Sequence, residues 1–326
     1  MKKSLNYFLS ILIAITLGIF YLPSQASTPK PHHKSEKVTL GIYISQLFDV
    51  SLPNKSFNAT FWLWSYSDDP NFRLKDNVEI MNARQSTMDI NYSGEFSKRN
   101  YWDTAKYSAN FIKNWDLSLF PFDKQILQLI LESSNKLSPD LIFLPDKINS
   151  AIDPEILLED WKITQFEFLS NEKTYSTNFL SPNKLSESRY SRMVINITIE
   201  REGMRKFLQY LGVTYLACFI CLCIYLVPLR DVGARISLLS ASLFAAVGNK
   251  ILLENALPTV NSITLVDKVE IITFIFLGFT LAFILLDNLL RINKHELIAA
   301  RLNRYVFLFS IVYLACANIY IFFPVL

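Results

Sequence analysis

No cysteine occurs before Cys218; all four (Cys218, Cys221, Cys223 and Cys316) lie in apolar segments of the second half. The polar first half therefore has no disulfide framework to hold it. Cys221 and Cys223 sit inside an apolar run without a neighbouring histidine, so they read as packing residues rather than metal ligands. Histidine is scarce too: His32 and His33 stand near the start and His295 late in the chain, and no His/Cys/carboxylate cluster has metal-ligand spacing. Only eight glycines are present, and none builds a phosphate-cradling loop. The expectation is no metal, no cofactor and no enzyme. A formal net charge of +3 over 326 residues is too small to imply a nucleic-acid partner. No internal repeat or low-complexity tract is visible.

What the chain does have is hydrophobicity, unevenly spread. With 51% hydrophobic residues and a mean hydropathy of +0.24 it falls between a soluble domain and an all-helix membrane protein. Residues 1–26 carry Lys2 and Lys3, an apolar run and Ser24-Gln25-Ala26, the pattern of a signal peptide with its cleavage site. Residues 27–203 are polar and strand-like. Runs such as SFNATFWLWSYS, NVEIMNA, KQILQLILES, DWKITQFEFLS and RMVINITIERE are separated by turn residues such as Pro53-Asn54. Eight or more short strands predict an exported antiparallel β-sandwich, with a helical turn within 148–160. Sequons at Asn54, Asn58, Asn91 and Asn196 carry no functional weight.

From residue 204 to 326 the chain changes character, and four membrane helices are predicted at 206–227, 231–258, 266–290 and 305–324. Arg230 and Arg235 follow the first, and Arg291, Lys294, Arg301 and Arg304 lie between the third and fourth; the loop after the second has no basic residue. The basic loops are assigned to the cytoplasm. That leaves the β-domain and the C-terminus outside, in a multi-pass membrane protein; the bacterial inner membrane and periplasm are what the family resemblance given below implies.

The second helix has one stripe ill suited to lipid. Gly233, Ser237, Ala241, Phe244, Gly248, Ile251 and Asn255 recur at three- or four-residue steps and share one face. They are mostly small or weakly polar, with one ring in the middle. Such a face suits another helix, or water along the axis of a symmetric oligomer.

Within the first half, Phe120-Pro121-Phe122-Asp123 forms a compact turn between two strand-like runs. An exported β-sandwich, this turn, a basic segment and four helices with a semi-polar second one resemble the pentameric ligand-gated ion channels. These form the Cys-loop receptor superfamily, whose signature turn has an aromatic-Pro-x-Asp core. Lys113 and Leu127 stand where animal receptors carry bridging cysteines, so the resemblance is to the cysteine-free bacterial branch. ARISLLSASLFAAVGNKILLENALP is similar to the family's pore helix. The resemblance implies a homopentamer in a lipid bilayer, permeating ions, and an unidentified small-molecule ligand or protons as agonist.

It also implies roles for residues. The stripe from Gly233 to Asn255 would line the pore, with Phe244 at the hydrophobic gate. Lys55, Phe120, Pro121, Phe122, Asp123, Arg201, Arg205 and Pro258 would form the gating interface; Asp123–Arg205 is the preferred ion pair and Arg201 its competitor. A ligand box would form under the loop at 178–189, from Trp62, Trp64 and Tyr66, which share a strand face, and from Tyr175 and Tyr190. The alternative for the tryptophans is sandwich core. Gly212 stands near the position of the family's first-helix proline. Lys250 and Glu254, at i and i+4, read as a stabilising pair. On ion sign, Gly233-Ala234-Arg235 leans toward anions or poor selectivity, while Asp231 and Glu254 pull the other way. From other classes, a non-conducting receptor on the same scaffold and a membrane-anchored periplasmic enzyme are the alternatives. The short cytoplasmic loops weigh against the first, and the missing catalytic constellation against the second.

Overall fold

The computed structural model describes residues 35–97, 100–177, 187–257 and 263–323. The expected leader, most of the 178–189 loop and Pro258 lie outside the described residues. The first part is rich in sheet. One sheet has the order β4(Ala83–Ser97), β5(Asn100–Ile112), β2(Ser56–Ser67), β1(Glu36–Ser51), β7(Leu141–Pro145), with β8(Ala151–Ile152) also on β1. The other runs β3(Val78–Ile80), β6(Lys124–Ser133), β10(Ser188–Arg201), β9(Trp161–Tyr175).

Period-two alternation produces these strands and joins them in one core. Phe57, Ala59, Phe61 and Leu63 of β2 are buried, as are Leu127, Leu129 and Leu131 of β6 and Met193, Ile195, Ile197 and Ile199 of β10, all in one apolar cluster. The residues between them point away. Pairing is mostly antiparallel, but β1 runs parallel to both β7 and β8. The strand β7 is reached from β6 of the second sheet over residues 134–140, and β8 follows β7 over residues 146–150. The helical turn expected within 148–160 is not there: β8 and turns occupy that stretch, and a four-residue helix lies instead at Leu74–Asn77. The long β4 has no counterpart in the strand pattern, because it is an edge strand exposed on nearly all of its residues. With no buried face it has no period to detect.

Four helices follow that are long and apolar enough to cross a membrane: α1(Gly203–Cys223), α2(Val232–Ala256), α3(Leu265–Ile292) and α4(Glu296–Phe322). The side chain of Asp231 caps α2 by accepting from Ala234 N, and Thr264 with Asp267 closes a capping box on α3. The helix α4 begins at Glu296, nine residues before the predicted 305. Arg301 and Arg304 therefore lie on a helix rather than in a loop, since arginine is a good helix former and only hydropathy excluded it from the predicted span. Small and polar side chains line the bundle interior. Asn249 Nδ2 donates to Tyr210 O (2.7 Å) and to Thr214 Oγ1 (2.9 Å), and Tyr225 meets Thr280 and Ser310 at its hydroxyl. Cys218 and Cys221 are buried beside Thr273 and Thr280, as packing residues.

Candidate functional site

The helix α2 divides cleanly into two faces. Arg235, Leu239, Ser242, Ala246, Asn249 and Leu253 are buried against the other helices. The predicted stripe is the opposite face: Gly233, Ser237, Ala241, Phe244, Gly248, Ile251 and Asn255 are all exposed in the single chain. Phe244 is 78% exposed, a large ring with no place in its own bundle. Ser237 and Asn255 return hydrogen bonds to Gly233 O and Ile251 O one turn back, so their polarity is partly spent on the helix itself.

Arg235 is the clearest departure from expectation. Its side chain is 0% exposed, donates from Nη1 to Asp287 Oδ2 of α3 at 2.7 Å and from Nη2 to Asn303 Oδ1 of α4 at 3.1 Å, and lies over the Phe283 ring. It is a bundle residue, so the lean toward anions that rested on it loses its basis. Lys250 bridges Glu254 on its own helix and Glu270 on α3, each at 3.4 Å.

At the junction of sheet and helices, the Phe120–Asp123 turn is held from both sides. Phe120, Pro121 and Asp123 are buried. The Phe120 ring lies 5.6 Å from Tyr210 of α1, and Phe122 lies 5.9 Å from Phe207 and 6.3 Å from Phe322 of α4. Gly203 permits this approach, because a Cβ there would meet Phe122 Cδ1 at 2.5 Å and Pro121 O at 2.6 Å. Gly203→Ala is expected to lower stability by about 1–3 kcal/mol through overpacking, measured as earlier thermal loss of the monodisperse detergent-solubilised protein.

The ion pair of Asp123 forms with Arg201, not with the preferred Arg205. Arg201 Nε donates to Oδ1 at 2.6 Å and Nη2 to Oδ2 at 3.2 Å, with the two side chains 4% and 2% exposed. The guanidinium is sandwiched by Trp161 (3.9 Å) and Phe120 (4.9 Å). Arg205 is exposed on the first turns of α1. Position decides the choice: Arg201 ends β10 beside the turn, and its N–H also bonds Asp123 O. Nearby, Lys206 pairs with Asp160 at 2.7 Å. Lys55 is exposed with φ of 50° in the β1–β2 turn, where its carbonyl accepts from Lys113 N. Burial lowers the Lys113 ammonium against the opposing pull of Asp116. That turn, Arg201, Lys206, Tyr210 and Ala256 at the end of α2 line a cavity of about 770 Å³.

The aromatic candidates fall on two sheets. Trp62, Trp64 and Tyr66 do share one face of β2, but it is the outer one, so they are not sandwich core. They pair with Tyr43, Gly41 and Thr39 on one side and with Lys106, Thr104 and Trp102 on the other. Trp64 lies flat on Gly41, where a Cβ would come within 2.1 Å of the ring, and donates to Asp146 Oδ2 at 3.1 Å. Burial works against the Asp146 carboxylate, yet bonds from Asn149 and Trp64 hold it below the usual range. Tyr175 and Tyr190 stand on β9 and β10 of the second sheet with rings 5.9 Å apart, edge to face. Beneath them Glu132, 4% exposed, accepts from Tyr175 Oη at 2.9 Å and from Arg192 Nε at 2.7 Å. Burial, then Glu132, raises the Tyr175 phenol.

Glu132, Arg192 and Trp161 were not among the residues singled out from sequence. No local signal marked Glu132, which stands in the outward phase of β6 with Lys124, Ile126 and Gln128, where alternation puts polar residues. Glu270 and Asp287, carboxylates inside a predicted membrane span, did give one. No protein-family model and no curated protein matches this chain.

Proposed function

We propose that the chain is one subunit of a homopentameric ion channel of the ligand-gated type, gated by a small molecule or by protons. Its strand-rich domain stands in the periplasm of a bacterial inner membrane, and α2 lines the pore. The order of elements is compatible with that layout. The observation that carries the reading is the division of α2: one face is bundle core, and the other is a stripe of small and weakly polar residues around Phe244 that no part of the same chain covers. Five such stripes about an axis make a narrow path, and five Phe244 rings make an apolar constriction that blocks ions by dewetting.

In this reading the junction transmits the signal. The Phe120–Asp123 turn, the Arg201 pair and the β1–β2 turn couple the sheets to α1 and to the end of α2. The outer face of β2 from one subunit and the Tyr175/Tyr190 end of its neighbour complete a ligand box. An agonist that binds the open arrangement better shifts the population toward it.

The test is ion flux from vesicles holding the full chain. Phe244→Ala is expected to raise basal flux above native by removing the apolar ring. Cysteines placed along 233–255 are expected to react with a water-borne thiol reagent in a three-to-four stripe. No flux from either protein across a panel of ligands and pH values, with no reactive stripe, would refute the channel.

A further inference from the structure

Among the described residues, two ion pairs are the only polar ties between α2 and α3, and they differ in kind. At the N-terminal end of α2, Arg235 and Asp287 stand 2.7 Å apart with side chains at most 1% exposed, and Asn303 accepts from a second guanidinium nitrogen. A pair so enclosed opens only by leaving a bare buried charge. In the last two turns of α2 the tie is open. Lys250 Nζ lies 3.4 Å from Glu270 Oε2 of α3 and 3.4 Å from Glu254 Oε1 of its own helix, and its side chain is 43% exposed.

The two carboxylates compete on unequal terms. Glu254 is 65% exposed, so water serves it when the ammonium leaves. Glu270 is 6% exposed and its Oε1 has no hydrogen-bond partner, so Lys250 is the one group that offsets its burial. Moving fully to Glu270 strips water from the ammonium, whereas moving fully to Glu254 leaves a buried carboxylate bare. A cation held midway between two helices, with a penalty on each side, is a two-state element rather than a fixed bond.

We infer that Lys250 is a latch: seated on Glu270 it fastens the last two turns of α2 to α3, and seated on Glu254 it frees them. Glu270 is thus a positioning residue for the end of α2. The latch itself stands without the channel reading; its effect on conduction rests on that reading. Lys250 lies beside Ala246 and Leu253, both buried, at the margin of the bundle face. The fastened position therefore draws this stretch toward α3 and away from the stripe of Phe244 and Gly248. Around an axis that keeps the path wide, and release narrows it. Asn249 holds its own turn to α1 through Tyr210 O and Thr214 Oγ1, which confines the movement to the residues beyond it. At their end, Ala256 lines the junction cavity with Arg201 and Lys206.

The experiment measures amide hydrogen exchange along α2 in the full chain, assembled in nanodiscs without any agonist. Glu270→Gln removes the seat on α3 and is expected to quicken exchange over 251–256 about fivefold, the scale of one partly exposed ion pair, with 236–246 unchanged. Glu254→Gln removes the competing seat and is expected to slow the same amides. That opposite sign separates a latch from a pair that merely adds stability, for which the loss of either carboxylate loosens the helix. Quickening in both variants, or no change with Glu270→Gln, overturns the latch. Ion flux from vesicles is followed in parallel with Phe244→Ala in every protein, and is expected to fall with Glu270→Gln and rise with Glu254→Gln. Equal flux from all three overturns the role in conduction and leaves the channel standing. No flux from any of them overturns the channel reading, while the exchange result still decides the latch. Should Glu270→Gln fail to assemble by size-exclusion chromatography, Lys250→Met replaces it, vacates both seats and is expected to quicken exchange in the same residues; no change there overturns the latch as well.

Discussion

Asp287→Leu alone is expected to cost about 3–5 kcal/mol of bundle stability, because it leaves the Arg235 guanidinium buried without a counter-charge. Arg235 is wholly buried, so bulk solvent does not reach it, and its remaining side-chain partners are Asn303 at 3.1 Å and the face of Phe283. The pair joins the N-terminal end of α2 to the C-terminal end of α3, and Asn303 of α4, whose side chain donates onward to Tyr225 O at 2.9 Å, extends it. Three helices and the turn that follows α1 thus meet on one charge. Replacing both partners, as Arg235→Met with Asp287→Leu, is expected to recover most of the loss, since apolar groups of similar volume need no pairing. The measurement is thermal loss of the assembled protein in detergent, followed by size-exclusion chromatography. Equal damage from the single and the double change would mean that packing volume, not charge, is what the site requires.

That pair also marks the limit of what the sequence made legible. Apolar period located the strands with a buried face and the four helices, because a half-buried element writes its burial into its residues. The stripe on α2 was legible for the same reason in reverse: its small residues are those left over when the core face has taken Leu239, Ala246 and Leu253. The strand β4 was not legible, since it is exposed on both sides. The setting of Arg235 was not legible either. Whether Arg235 faces an axis or a neighbouring helix depends on Asp287, 52 residues away, and no local pattern carries that pairing.

The candidate sites divide in the same way. The Phe120–Asp123 turn was visible from its own four residues, and the structure seats it on α1 and α4. Its ionic partner was misassigned, because proximity to the first helix favoured Arg205 whereas the strand end places Arg201. Trp62 and Trp64 could be put on one face of β2 but not on the inner or outer one. Burial settles that: Phe57 and Phe61 of β2 itself, with Phe111 of β5, fill the core and leave the tryptophans outside.

Arg201→Ala is expected to be the most damaging single change at the junction, again about 3–5 kcal/mol for an uncompensated buried charge. Asp123 would keep Gln125 Nε2 at 2.8 Å but lose both guanidinium contacts. Trp161 and Phe120 would lose the group packed between them. Those two rings belong to different layers of the junction: Trp161 opens β9, while Phe120 reaches Tyr210 on α1. Hydrogen exchange should therefore quicken in the Phe120–Asp123 turn and at the start of α1 together, with the middle of β6 and β10 protected as before. Arg205→Ala, an exposed change, is expected to alter neither. Arg201→Met with Asp123→Leu is expected to restore stability, yet it removes the polar tie between the end of β10 and the Phe120–Asp123 turn that rests on α1. On the proposed channel reading, if that tie carries the gating signal, the repaired double variant combined with Phe244→Ala conducts, while the double variant with Phe244 intact does not answer a stimulus that opens the unaltered protein. A double variant that folds, assembles and opens as native does would show that the pair is structural only.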